Sequence, residues 1–152
     1  CAGVFGPSFE NQQIESLDFE KFQEVLMVNS ISILKIIQII LNNKLSKKNL
    51  EILVNISSDA GSIDLNNEGN AYKYRASKTA LNSITKNMSI DLMARFKTIV
   101  FAIDPGNVQS GMNPGGTLKA DVCANLIINL ISSNVQLLNG KFVNLLGDEL
   151  PW

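Results

Sequence analysis

Residues 56–82 read ISSDAGSIDLNNEGNAYKYRASKTALN and bring Ser58, Tyr74 and Lys78 into one short segment. The apolar run Ile52–Ile56 comes immediately before the two serines and is typical of a buried strand. Because Ser58 follows that run so closely, we expect its hydroxyl at the carboxyl end of the strand. Open α/β sheets bind their ligands at that end.

A helix is predicted from Ala71 to about Arg95, with Asn70 as its N-cap. Tyr74 and Lys78 are four residues apart, so they lie on the same face of this helix. A phenol has a pKa of about 10, and a neighbouring ammonium favours the phenolate and lowers that pKa. Tyr74 is therefore a candidate general acid or base.

Simpler interpretations of the same residues stand beside this one. A Tyr-x-x-x-Lys pair is also a common surface feature of helices, where it contributes about 0.2–0.5 kcal/mol. Ser58 is also an ordinary turn residue after a strand. The pair by itself does not separate the catalytic interpretation from the structural one.

Composition excludes several classes of site. The chain has 152 residues, a formal net charge of −1 and no histidine, so Ser-His-Asp triads, Cys-His dyads and histidine-based metal sites are excluded. Cys1 and Cys123 are isolated, which predicts no metal site and favours free thiols in a reducing, cytoplasmic environment. The basic residues are scattered, so no nucleic-acid partner is expected. The longest apolar run, Ile31–Leu41, is too short to span a membrane.

Strands and helices are predicted to alternate along a single domain, 1–152. This alternation indicates the α/β class, with a doubly wound parallel sheet. Asn29 lies on the apolar face of the first helix, where a buried amide needs hydrogen-bond partners. The predicted strands are Ile52–Ile56, Ile99–Ile103 and Phe142–Leu146, and the predicted helices are Asp18–Asn42, Ala71–Arg95 and Lys119–Ser132.

A polar turn, Asp104–Ser110, follows the strand Ile99–Ile103. Pro105 and Gly106 favour a tight turn that leaves backbone N–H and C=O groups free to meet a ligand. A plain connection between a strand and a helix is the alternative.

Taken together, these motifs resemble the short-chain dehydrogenase/reductases, and among them the small carbonyl-reductase-like group. They occur in the order and with the separations typical of that family, and they cover nearly the whole chain. The matching pieces are Ala2-Gly3, Val28-Asn29, Asn55-Ile56-Ser57-Ser58-x-x-Gly61-Ser62, Tyr74-x-x-Ser77-Lys78, Pro105-Gly106-x-Val108-Gln109-Ser110 and Gly147.

The resemblance implies a role for each catalytic candidate in interconverting a small carbonyl and an alcohol. Tyr74 would donate a proton to the carbonyl oxygen, and Ser58 would hold that oxygen. Lys78 would lower the pKa of Tyr74 and bind the nicotinamide ribose hydroxyls. Asn29 would anchor a water molecule that relays protons to Lys78.

The resemblance also implies a nicotinamide cofactor, NADP or NAD, with NADP slightly preferred. Val108 and Ser110 would contact the nicotinamide carboxamide, and Gly3 would line the cofactor groove. The full set of implied cofactor-binding residues is Gly3, Tyr74, Lys78, Pro105, Gly106, Val108 and Ser110.

The chain departs from the family at its amino-terminal side. The family's first strands and its Thr-Gly-x-x-x-Gly-x-Gly turn have no counterpart here, so an incomplete Rossmann-like sheet is expected. A homodimer through the helices Asp18–Asn42 and Ala71–Arg95 is also expected from the family. The alternative hypothesis is a catalytically silent protein that binds a partner through the open sheet edge.

Overall fold

A computed structural model describes residues 3–6, 13–43 and 50–152. Cys1 and Ala2, which figured in the sequence predictions, lie outside the described residues. The strands are β1 (Ile52–Ile56), β2 (Ile99–Ile103) and β3 (Phe142–Val143), and the longer helices are α1 (Phe19–Leu26), α2 (Ser32–Asn42), α3 (Tyr72–Phe96) and α4 (Ala120–Asn134).

The three strands form a parallel sheet in the order β1-β2-β3. Ile56 pairs with Ile103, so β1 and β2 end side by side and the chain leaves both at the same edge of the sheet. The predicted α/β class with an incomplete parallel sheet is confirmed. This arrangement puts the segments after Ile56 and after Ile103 next to each other.

Strand β3 is shorter than the predicted Phe142–Leu146. Asn144 accepts two hydrogen bonds through its side-chain oxygen, from the backbone N–H groups of Leu146 (2.9 Å) and Asp148 (3.0 Å). The chain then reverses at Gly147, whose φ is +89°. An asparagine side chain that captures backbone donors in this way favours a turn over a continued strand.

Both faces of the sheet are covered, as expected for a doubly wound arrangement. Strand β2 is buried along its whole length. On one face of β2, Ile99, Phe101 and Ile103 pack with Leu138 and with partly buried side chains of α4. Val100 faces the opposite side and packs with α2 and α3 through Ile37 and Leu92. Strand β2 therefore packs against helices on both faces of the sheet, and these contacts fix the position of the edge where β1 and β2 end.

The predicted first helix begins as expected but is interrupted. Asp18 is its N-cap, since the Asp18 carboxylate accepts a hydrogen bond from the Lys21 N–H at 3.0 Å. Between α1 and α2, the segment Met27–Ile31 forms a π-helical turn. Such turns insert one extra residue into a helix and are frequent at functional sites. Here the turn contains Asn29.

Helix α3 starts differently from the prediction, because Asn70 is not its N-cap. Asn70 and Ala71 have φ values of 50° and 46°, and Ala71 precedes the first helical residue without a side-chain cap. Asparagine tolerates this left-handed conformation, whereas for alanine it costs about 1–2 kcal/mol. Strained backbone of this kind concentrates at functional sites, and Ala71 lies three residues before Tyr74.

With its π turn included, the helix Phe19–Asn42 is longer than the apolar run Ile31–Leu41 considered in the sequence. It is 24 residues long, and length and composition alone would suffice for a membrane crossing. Part of it faces the protein, since Val25 and Ile37 are buried. Large apolar side chains that remain exposed along it are Phe19, Met27, Ile31, Leu34, Ile36 and Ile39.

Candidate active site

Buried polar contacts fix the carboxyl end of β1 against α3. The Ser57 hydroxyl donates to Asn82 Oδ1 at 2.6 Å, and the Asn55 amide donates to the Thr85 hydroxyl at 2.8 Å. All four of these side chains are buried. Satisfied buried networks rigidify the elements they join. Ser58, the next residue in the chain, is thereby held in a set position relative to α3.

Gly61 allows a close approach between the turn after β1 and α3. A Cβ at position 61 would lie 2.9 Å from both the backbone carbon and the Cβ of Lys78, a separation that real Cβ atoms essentially never show. The Gly61 carbonyl oxygen accepts hydrogen bonds from Thr79 Oγ1 at 3.0 Å and from Asn82 Nδ2 at 3.3 Å. The glycine of the Ser-Ser-x-x-Gly motif thus brings Ser58 and the Lys78 turn of α3 together.

Ser58 and Tyr74 line the same cavity, which has a volume of about 400 Å³. Phe5 forms one wall, with its ring centroid 5.0 Å from that of Tyr74 and the two rings tilted by 46°. The two residues predicted to be catalytic therefore border a space that a small molecule can enter. The other lining residues are Asp59, Ala60, Leu65, Asn67, Glu68, Ala71 and Arg75.

Lys78 lies beside Tyr74 and is buried, with 6% of its surface exposed. Its Nζ is 5.6 Å from the centroid of the Tyr74 ring and donates to the Ile56 carbonyl oxygen at 2.9 Å. Burial lowers the pKa of Lys78 to about 8, and the negative charge of Asp104 opposes that shift. At neutral pH the side chain is mainly cationic, next to the phenol as predicted.

The shift of the Tyr74 pKa is opposite to the predicted one. Burial raises the pKa of the phenol, and the charges of Asp104 and Asp59 raise it further. Hydrogen bonding with Ser58 acts in the other direction and lowers the pKa. The sequence prediction considered only the ammonium of Lys78, whereas removal of the phenolate from water is the larger effect. Tyr74 is accordingly protonated at neutral pH.

The Asn29 amide joins three parts of the chain. Its Oδ1 accepts from the Val4 N–H at 2.8 Å, and its Nδ2 donates to the Val4 carbonyl oxygen at 2.8 Å and to Ser77 Oγ at 2.9 Å. The Ser77 hydroxyl donates in turn to the Tyr74 carbonyl oxygen at 2.7 Å. Asn29 therefore ties the segment beside Phe5 to the first turn of α3. These contacts hold the helical turn that carries Tyr74 in place.

The turn after β2 brings Asp104 to the same edge, and sequence reasoning missed this residue. The charge of Asp104 acts on the pKa values of both Tyr74 and Lys78. Burial raises the pKa of Asp104 itself. Gly106, with a φ of +69°, donates its N–H to Asp104 Oδ1 at 3.2 Å. The sequence signal for Asp104 is its position directly after a buried strand. The Pro105-Gly106 pair that follows it indicated only a turn.

Two of the remaining cofactor candidates, Val108 and Ser110, lie in a loop that is hydrogen-bonded to itself. Val108 forms a bridge to Leu118, and Ser110 is exposed with its hydroxyl accepting from the Asn113 N–H at 3.2 Å. Gly3 lines a separate, larger cavity of about 950 Å³, whose lining includes Met112 of this loop. Ser58, Tyr74 and Lys78 are thus brought together directly, while Gly3 lies in the second cavity and Val108 and Ser110 lie in the loop after β2.

The chain matches the family model described as short chain dehydrogenase over residues 1–119. It is also similar to the protein called C-signal from Myxococcus xanthus, with 30% identity over 161 residues, covering 100% of this chain and 95% of that one.

Solved structures of carbonyl reductases have the same fold. The carbonyl reductase Sniffer of D. melanogaster superposes with a TM-score of 0.80 at 27% identity, and the NADPH-bound carbonyl reductase from chicken fatty liver with 0.80 at 28%. Each match covers all of this chain and 64% of the other, so the chain spans less than two thirds of those proteins. The family match over most of its length, together with the fold, shows that the chain belongs to the short-chain dehydrogenase family.

Proposed function

We propose that the protein is an NAD(P)-dependent oxidoreductase that interconverts a small carbonyl compound and its alcohol. The observation that carries this proposal is the arrangement of Ser58, Tyr74 and Lys78. Two hydroxyls line one cavity, and a buried ammonium lies 5.6 Å from the phenol ring. Membership of the short-chain dehydrogenase family supports oxidoreductase chemistry in general.

In the reduction direction, Tyr74 donates its proton to the carbonyl oxygen of the substrate. Ser58 hydrogen-bonds the same oxygen and stabilises the negative charge that develops there. Lys78 holds a positive charge beside the phenolate that Tyr74 becomes, which favours proton release. The nicotinamide supplies the hydride when it is bound, and the chain's own residues supply position and the proton.

The residues around Lys78 fit the ribose end of a nicotinamide cofactor. An ammonium has three donors, and among the described residues the Ile56 carbonyl oxygen is the acceptor within hydrogen-bonding distance of Lys78 Nζ. The remaining donors suit ribose hydroxyls at a buried position. A structural neighbour binds NADPH, which supports NADP over NAD as the proposed cofactor.

The cavity beside Tyr74 favours a small substrate with polar groups. Its volume of about 400 Å³ suits a compact molecule. Phe5 and Leu65 supply apolar surface, while Glu68 and Arg75 pair at 3.5 Å and bring charge to the lining. A small carbonyl compound or alcohol is therefore the proposed substrate class.

NADPH is expected to stabilise the protein against thermal unfolding, because a ligand that binds only the folded state adds about 2.7 kcal/mol at one hundred times its Kd. Lys78→Met should reduce the stabilisation, whereas Lys35→Met, at an exposed position of α2, should preserve it. Differential scanning calorimetry with NADPH and with NADH measures both effects. Absence of stabilisation by either nucleotide would overturn the proposed function.

A second candidate is a protein that keeps the fold and binds a partner without turnover. The relative called C-signal, which this chain matches over 95% of its length, has a name that describes a signal, and this favours the alternative. The outer edge of β1 has no paired strand among the described residues, and such an edge is a template for pairing. The nucleotide-binding experiment above separates this candidate from the enzyme.

We also propose a cytoplasmic homodimer in which a second copy covers the exposed apolar side chains of the helix Phe19–Asn42. Ile39 is 69% exposed, and Ile90 of α3 is 64% exposed. Burial of such side chains contributes about 25 cal/mol per Å².

Ile39→Lys is expected to shift the protein from dimer to monomer in sedimentation equilibrium. Gln38→Lys, at the exposed neighbouring position, should leave the dimer intact. A monomeric wild-type protein would contradict the dimer, and binding of the wild-type protein to phospholipid vesicles would assign the apolar surface to a membrane instead.

A further inference from the structure

Asp59 directly follows Ser58 and accepts a hydrogen bond from its hydroxyl. Ser58 Oγ lies 3.0 Å from Asp59 Oδ1. An ionised carboxylate only accepts hydrogen bonds, so the serine is the donor. The Ala60 N–H donates to Asp59 Oδ1 at 2.6 Å and to Ser58 Oγ at 3.2 Å. The carboxylate and the hydroxyl are thus held together at the start of the short helical turn Asp59–Gly61.

This contact determines what Ser58 can offer to Tyr74. A serine hydroxyl has one proton and two acceptor lone pairs. Donation of that proton to the Tyr74 phenolate would lower the pKa of Tyr74, and this donation is lost while the proton is directed to Asp59. Ser58, Asp59 and Tyr74 all line the same cavity.

We propose that Asp59 is a positioning residue that acts through Ser58 to keep Tyr74 protonated, which favours carbonyl reduction over alcohol oxidation. Reduction requires the phenol as acid, whereas oxidation requires the phenolate as base. An incoming carbonyl oxygen competes with Asp59 for the Ser58 proton and takes the proton of Tyr74. This inference rests on the function proposed above.

Other charged groups also surround Tyr74, and the proposal takes them into account. Lys78 and Arg75 share its helix, Glu68 lines the cavity from the preceding loop, and Asp104 follows β2. Asp104 raises the pKa of Tyr74, as does Asp59. The contribution of Asp59 differs from that of the others because Asp59 is hydrogen-bonded to Ser58, whose own hydrogen bonding acts on the pKa of Tyr74. A test must therefore separate transmission through Ser58 from a direct effect of charge.

The chain has two tyrosines, so in a Tyr72→Phe background Tyr74 is the sole tyrosine and its ionisation can be followed by near-ultraviolet absorbance. Asp59→Ala is expected to lower the pKa of Tyr74, because the Ser58 proton becomes free to stabilise the phenolate. Asp59→Asn should lower it less, since the amide oxygen still accepts the Ser58 proton. Asp64→Ala, at an exposed position of the same loop, should leave the pKa unchanged.

Ser58→Ala completes a double-mutant cycle with Asp59→Ala. In the Ser58→Ala background, the shift caused by Asp59→Ala is expected to shrink. Equal shifts with and without Ser58, equal shifts for Asp59→Ala and Asp59→Asn, or no shift at all would overturn the proposal. Circular dichroism across the same pH range verifies that each variant is folded. If Ser58→Ala is unfolded, the comparison of Asp59→Ala with Asp59→Asn tests the proposal without it. The titration needs no cofactor, so its result is distinguishable from a failure of NADPH binding.

Discussion

Tyr74→Phe is expected to lower the rate of carbonyl reduction by about 10²–10⁴-fold, the usual contribution of a positioned general acid. The phenyl ring still packs against Phe5, whose ring centroid lies 5.0 Å away, so the cavity keeps its wall. The substitution removes the hydroxyl and leaves the Lys78 ammonium in place. Nicotinamide binding should therefore persist while turnover is lost.

Steady-state reduction of a small aldehyde or ketone with NADPH, combined with a binding titration, measures both quantities. Tyr72→Phe is the matched control, since Tyr72 lies two residues earlier in the same helix and is 41% exposed. Its activity should equal that of the wild-type protein. Full activity in Tyr74→Phe would remove the acid role from this residue.

Lys78→Met is expected to slow turnover and to change how stability depends on pH. The pKa of Lys78 is about 8 in the folded protein, against an ordinary value of 10.5. Between these values the unfolded chain binds more protons than the folded one, so this group makes stability rise as pH increases. Below pH 8 the cost of burying the charge is present in full. Lys78→Met removes the titrating group and should flatten the rise.

Urea unfolding at several pH values from about 8 to 10 tests this expectation. Tyr74 contributes with the opposite sign above its ordinary pKa of 10.0, because its folded pKa is raised and stability falls as the unfolded chain releases that proton. The pH range in which stability rises should therefore end near the ordinary pKa of Tyr74. Lys35→Met, on the exposed side of α2, should keep the wild-type slope. An unchanged slope in Lys78→Met would show that the buried ammonium does not titrate there.

Short-range patterns were sufficient to predict most of the fold. The apolar runs Ile52–Ile56 and Ile99–Ile103 form strands with the predicted bounds, because a buried parallel strand needs apolar side chains on both faces. Helix α3 runs close to its predicted length, and its four-residue spacing places Tyr74 and Lys78 on one face. These features depend only on periodicity within one segment.

Features that depend on distant residues could not be predicted in the same way. Residues 70 and 71 adopt a left-handed conformation that local capping preferences do not indicate. Asn29 finds its partners at Val4 and Ser77, which are 25 and 48 residues away. Such partners become visible only when the packed elements are known.

The sequence by itself determined which residues are proposed to carry the chemistry: a hydroxyl after a strand, and a phenol and an ammonium one turn apart on a helix. Only the tertiary structure decided the protonation state of that phenol. Burial and the acidic groups Asp59 and Asp104 raise the pKa of Tyr74, although Lys78 lies nearby. The reason is physical, because a pKa depends on how much water is excluded and on which charges converge, and both follow from packing between segments far apart in the chain.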